Sequence, residues 1–212
     1  MNHSKPVINP EPIPLLPRDR QAWVMLLLML LVAIAIAAGG ELWRLELRYE
    51  RDAIMDGEWW RLISGHWTHL GLSHLLLNLS GLIPLWLLFV NEFRWPTWMW
   101  VIICGVIAQA IGFMIFEPQL RWYVGLSGLL HSIFAAGVWA WCRQKYWLGY
   151  IAAVVLLGKL LWEQIAGPLP SSAETAGGPV VVDAHWYGAI GGVIAMMVWD
   201  FARKIKDRKK EK

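Results

Sequence analysis

The stretch YVGLSGLLHS (residues 123–132) puts a serine hydroxyl and, four residues later, an imidazole inside a long apolar segment. Such groups cost free energy in hydrocarbon unless they are paired or wet. Reading the stretch therefore turns on whether it lies in a membrane, and the rest of the chain indicates that it does. Of 212 residues, 57% are hydrophobic and 17% charged, with mean hydropathy +0.44. A soluble domain is nearer ~25% charged. Sixteen tryptophans suit the two membrane interfaces, where amphipathic rings settle. The two cysteines, Cys104 and Cys142, lie in apolar segments and define no disulfide framework.

A membrane helix needs about 20 apolar residues. Six segments qualify: 22–40, 70–90, 98–116, 122–141, 147–166 and 184–201. The pattern predicts an all-α integral membrane protein, a six-helix bundle over 22–201. A proline-rich lead-in (1–21) precedes it and a basic tail (202–212) follows. AIAAGG at the end of the first span has the small residues of a cleavage site, but the apolar run is long for a signal peptide. It reads as an uncleaved anchor. With the N-terminus inside, thirteen of the nineteen Lys and Arg fall on the inner side, seven of them in the tail RKIKDRKKEK. Both termini are then cytoplasmic. The tail reads as a topology signal beside anionic lipid, not as a nucleic-acid patch. The outer loop 41–69 ends in EWWRLISGHWTH, whose tryptophans suit the interface.

Spans two, four and six run in the same direction. Their polar residues are His74 and Asn78, Ser127 and His131, and His185 beside Asp183. At ~1.5 Å rise per residue all lie within about 5–15 Å of the outer surface. Interhelical hydrogen bonding alone would explain a Ser or an Asn. Three histidines and a serine at one depth point instead to a functional cluster. His74 and Asn78 share a helix face. Gly188 and Gly192 lie on the face of His185, and Gly128 with Ser132 offers small-residue spacing on span four. Close approach there would bring Ser127 and His185 within reach.

A serine is a weak nucleophile until a base takes its proton. His185 is one candidate base. His131 is another, since helical side chains lean toward the N-terminus and it sits a turn beyond Ser127. An oxyanion needs donors: the Asn78 amide, the His74 ring, and the Ser127 backbone N–H if a helix begins there. Gly125 suits a bend at that point. No orienting acid is evident. Asp183 falls in a loop, and Asp200 is ~22 Å along the helix from His185. The expectation is a Ser–His dyad. Lys159 and Glu163 in span five are i,i+4 and read as a local ion pair. Pro84 predicts a kink in span two.

These residues, in this order, resemble the rhomboid family of intramembrane serine proteases, from about Glu58 to Gly192. GLSG (Gly125 to Gly128) is similar to the family's nucleophile motif, HLLLN (His74 to Asn78) to its second-helix motif, and AHWYGAIGG (Ala184 to Gly192) to its last-helix motif. EWWR, with Glu58 and Arg61, resembles the first-loop motif that holds that loop at the membrane surface, and His69 matches a structural histidine. The resemblance implies Ser127 as nucleophile and His185 as base. It implies His74, Asn78 and the Ser127 N–H as the oxyanion hole, Gly188 and Gly192 as packing positions, and no metal or other cofactor. The implied substrates are single-span membrane proteins cut near the outer face.

One position departs from the pattern. Many rhomboids carry a tyrosine four residues after the serine, stacked on the histidine; here it is His131, whose role is orienting, relaying a proton, or packing. GLSGLLHS and the compact six-span layout resemble the rhombosortase branch. That branch implies a bacterial cytoplasmic membrane, a site open to the periplasm, and substrates with a C-terminal tail of Gly-Gly, a hydrophobic span and a basic cluster. The sequence is also compatible with two rival readings. A haem or metal carrier could use His66, His69, His74, His131 and His185, with the HxxH in HWTHLGLSH as ligand spacing. An inactive rhomboid-like binding protein is the other, although both Ser127 and His185 are present.

Overall fold

A computed structural model describes residues 20–210; most of the lead-in and the last two residues of the tail lie outside these. The first helix, α1 (Arg20–Ala38), is followed by a loop region of short elements: α2 (Gly40–Leu47), β1 (Tyr49–Glu50), α3 (Arg51–Met55), α4 (Arg61–Ser64) and a 3-10 turn at Gly65–Trp67. Then come α5 (Leu72–Phe89), α6 (Trp95–Phe116), β2 (Trp122–Tyr123), α7 (Ser127–Arg143), α8 (Trp147–Ala166), α9 (Ser172–Ala176) and α10 (Asp183–Lys210). Among the described residues, α1, α5, α6 and α8 are long and apolar enough to cross a membrane. α7 has 17 residues and α10 has 28, the latter continuing without a break to Lys210 in the basic tail.

The apolar residues are arranged inside out relative to a soluble protein. Leu31 of α1, Ile115 of α6 and Val154 and Ile165 of α8 are exposed, which is stable only where the surroundings are hydrocarbon. α7 is the central rod, buried along most of its length. Lipid tails are as apolar as leucine, so burial alone does not hold such helices together; close packing and hydrogen bonds do. α10 meets α7 through glycine. A Cβ on Gly188 would overlap the Gly128 carbonyl, and one on Gly192 would overlap the Ser132 carbonyl. Gly191 also comes close to α6, where an added Cβ would lie 2.8 Å from the Cys104 carbonyl oxygen. Trp100 Nε1 donates to the Ala195 carbonyl (3.0 Å), and Ser132 Oγ to the Val101 carbonyl (3.2 Å). Toward the other end of α7, Phe89 and Trp141 pack edge to face, and Trp86 stacks on Trp98 at 4.0 Å.

The fourth span was expected over 122–141, but α7 begins only at Ser127. Gly125 has φ +127°, a conformation no helix contains. Trp122 and Tyr123 are instead extended, and pair antiparallel with Glu50 and Tyr49. This two-stranded ribbon ties the loop region to the start of α7. Gly125 N–H also donates to the Gly65 carbonyl (3.1 Å) and Arg51 N–H to the Arg121 carbonyl (2.8 Å). Arg61 is the centre of the loop region. Its buried guanidinium pairs with Glu58 and donates to the Leu45 (2.7 Å) and Arg48 (3.2 Å) carbonyls.

Candidate active site

Ser127 is the first residue of α7, so its backbone N–H has no intrahelical partner. The turn before it is fixed from two sides. Tyr123 Oη donates to the Gly125 carbonyl (2.7 Å), and burial pushes that phenol's pKa up to about 12. On the other side lies α5. A Cβ at Gly125 would stand 3.0 Å from Cε1 and Nε2 of His74 and 3.9 Å from Nδ2 of Asn78. The structure thus brings His74 and Asn78 against the serine turn. Asn78 Nδ2 donates to the His74 carbonyl (3.1 Å), and His74 Nδ1 lies 3.4 Å from the Leu70 N–H.

His185 is the third residue of α10. Asp183, expected in a loop, is the first residue of that helix and accepts from Gln164 Nε2 (3.0 Å). The close glycine packing carries His185 to Ser127, with Nε2 3.1 Å from Oγ. His131 does not take that position. Its Nδ1 is 2.7 Å from the Ser127 carbonyl oxygen, which can only accept, so Nδ1 carries the proton. Its ring stacks on that of His185 at 4.1 Å and 19°.

The other edge of His185 corrects the expectation that no acid lies beside it. Glu163 Oε2 is 2.8 Å from Nδ1, and Glu163 Oε1 is 2.7 Å from Lys159 Nζ. The local pair read from the sequence exists, but its carboxylate also reaches across to α10. Sequence reasoning missed this because spacing along one span does not reveal which face meets another span. A signal was present: an ionisable residue within a membrane span is a functional candidate by default. With a carboxylate accepting at Nδ1, the proton sits on Nδ1. The Nε2 lone pair then faces the serine hydroxyl.

Ligand atoms of His131, Glu163 and His185 lie within 4.8 Å of one another. Their arrangement is poor for a metal. Imidazole lone pairs lie in the ring plane, and two near-parallel stacked rings cannot aim theirs at one point. Nor do His66 and His69 form a ligand pair with His185. His66 packs edge-on to Tyr123 and Trp67, and His69 edge-on to His74. Burial lowers both of their pKa values to about 4.

A serine nucleophile, a correctly protonated imidazole and nearby amide and ring donors can perform acyl transfer. Comparison with curated proteins finds no match. The family model of the Rhomboid domain matches residues 56–200. That range takes in every residue of this cluster and leaves out residues 1–55 and 201–212, which include α1, the first part of the loop region and the end of α10. The chain belongs to the rhomboid family, multi-pass membrane proteins that are in general intramembrane serine proteases.

Proposed function

We propose that this protein is an intramembrane serine endopeptidase that uses Ser127 and His185 to cleave transmembrane proteins near the outer membrane face. The observation that carries this reading is the 3.1 Å approach of His185 Nε2 to Ser127 Oγ. His185 takes the hydroxyl proton as Oγ bonds to the scissile carbonyl carbon, and the carbonyl π pair moves onto its oxygen. The resulting oxyanion is held by the Ser127 N–H, Asn78 and His74. Collapse breaks the C–N bond, and the proton on Nε2 passes to the leaving amine. Water then repeats the sequence on the acyl-enzyme, releasing the acid and restoring Ser127.

In this reading all six long helices span a bacterial cytoplasmic membrane, with both termini cytoplasmic and the site open to the periplasm. Water reaches the serine from that side. The substrates are membrane tails with Gly-Gly before a hydrophobic span and a basic cluster, as in the rhombosortase branch. The physical reason is that a helix hides its carbonyls, so the scissile bond must unwind. Glycine lowers that cost by ~1 kcal/mol per residue relative to alanine.

The test is co-expression with a model substrate ending in such a tail, followed by mass measurement of the new C-terminus. Cleavage at or beside the Gly-Gly pair, abolished by Ser127→Ala and by His185→Ala in folded protein, is expected. Cleavage retained in either variant would remove that residue from its role. A substrate left intact by the wild type would reject the Gly-Gly preference.

A further inference from the structure

We propose that Glu163 is the positioning acid of this site, setting the tautomer of His185, and that Lys159 holds the carboxylate in the orientation required. The inference rests on the protease reading above and adds a third member to the expected dyad.

Three observations carry it. First, the Glu163 side chain is only 3% exposed and both its oxygens are engaged, one by His185 Nδ1 and one by Lys159 Nζ. A carboxylate in a membrane span is stable only when paired, and among the described residues this one pairs with those two groups. Second, α8 is docked on the start of α10 by other contacts. Trp186 Nε1 donates to the Leu160 carbonyl (3.2 Å), Gln164 reaches Asp183, and Leu156 and Leu160 pack with Ala189 and Ala135. Helix docking therefore does not require the Glu163–His185 contact. Third, the imidazole is constrained about both axes. His131 covers its face and Glu163 fixes its edge, leaving Nε2 directed at Ser127.

The chemistry follows from the tautomer. When Ser127 attacks, its proton moves to Nε2 and the Nδ1 proton stays on nitrogen, hydrogen-bonded to Glu163. The carboxylate then faces an imidazolium and stabilises it. The charged and titratable groups around that ring are Glu163 and Lys159 of α8, His131 of α7 and Asp183 of its own helix. Lys159 Nζ lies 3.4 Å from Nδ1, but both are donors, so Lys159 acts through the carboxylate.

This arrangement makes an unusual prediction for Glu163→Gln. Lys159 needs an acceptor, so it takes the amide oxygen and turns the NH2 toward Nδ1. His185 is then forced into the Nε2–H tautomer, which cannot accept the serine proton. A loss of about 10³–10⁴-fold in kcat is expected, the scale seen when the acid of a Ser-His-Asp protease becomes an amide. KM should stay within about threefold. Lys159→Met alone leaves the carboxylate on Nδ1 but frees its other oxygen, so kcat should fall about three- to tenfold, and wild-type kcat would remove Lys159 from the proposal. In Glu163→Gln/Lys159→Met the amide is free to turn its oxygen to Nδ1. The double variant should recover at least about tenfold over Glu163→Gln, a gain that loss of a structural ion pair would not produce.

The readout is the rate of Ser127 labelling by a fluorophosphonate in the full-length protein, alongside cleavage kinetics and thermal unfolding. No labelling of wild type would sink the serine-protease reading itself. Wild-type labelling with Glu163→Gln equally fast would leave that reading intact and overturn the role of Glu163. If Glu163→Gln does not fold, the comparison moves to the Lys159→Met background. There, adding Glu163→Gln must slow labelling by about tenfold or more, and equal rates overturn the proposal.

Discussion

Gly188 of α10 lies directly against the carbonyl of Gly128 in α7, with no room for a Cβ between them. This contact is three residues beyond His185 and one beyond Ser127, so it sets how far apart base and nucleophile stand. Gly188→Ala should push the helices apart at a cost of ~1–3 kcal/mol, the range for overpacking a filled interior. Cleavage should fall at least tenfold, because hydrogen-bond reach between Nε2 and Oγ is lost. Gly158→Ala is the control: nothing lies within 4 Å of the added Cβ. That variant should unfold at the same temperature as wild type or higher, since alanine favours the helix. Thermal unfolding in detergent and the cleavage assay together separate the two outcomes.

His131 stacks on His185 and donates to the Ser127 carbonyl, so it buttresses the base and the start of α7 together. Stacking is worth about 0.5–1.5 kcal/mol and the hydrogen bond about 1 kcal/mol. His131→Ala should therefore lose roughly 10- to 70-fold in kcat. His131→Tyr keeps an aromatic ring over His185 and should remain within about tenfold of wild type. Equal, large losses in both variants would show that the imidazole handles a proton instead.

Much of this site is readable from the sequence, because helical spacing is a one-dimensional property. Ser127, His185, His74 and Asn78 emerge from depth counting along separate apolar runs, and Gly188 and Gly192 from their shared face. What the sequence conceals is which faces meet. Glu163 has a partner four residues away, so the local pattern explains itself and gives no hint of a second partner on α10. The ribbon joining Tyr49 to Tyr123 is equally hidden, since two-residue strands carry no periodicity. The late start of α7 follows from a single backbone angle at Gly125, and a glycine in sequence does not state its φ.

Asn78 is almost fully buried beside the Gly125 turn, with its amide nitrogen turned to the His74 carbonyl. If it redirects that N–H to the developing oxyanion, Asn78→Ala should lower kcat by about 10²–10³-fold with little change in KM, as for loss of one oxyanion donor. Asn78→Asp preserves the shape but has no amide donor, and should be at least as impaired. A rate within twofold of wild type for either would remove Asn78 from that role.

The 3-10 turn at Gly65–Trp67 offers a pH-dependent handle on the site, because the Gly65 carbonyl receives the Gly125 N–H just ahead of Ser127. His66 in that turn is almost wholly buried, and burial lowers its pKa to about 4 against the opposing bond to the Leu62 backbone. His69 is held at about 4 as well, by burial and then by neighbouring His74. The unfolded chain takes up these protons near pH 6.5. Between about 6.5 and 4 the unfolded state thus binds protons that the native loop excludes, and stability falls as pH falls. Above 6.5 neither state is protonated and this contribution is fully present. The unfolding temperature should decline steadily from pH 6.5 to 4.5, and cleavage should fall with it as the serine turn loosens. His66→Phe keeps a ring against Tyr123 and Trp67 but cannot titrate, so its decline should be shallower. A His66→Phe profile parallel to wild type over that range would show that His66 is not one of the groups responsible.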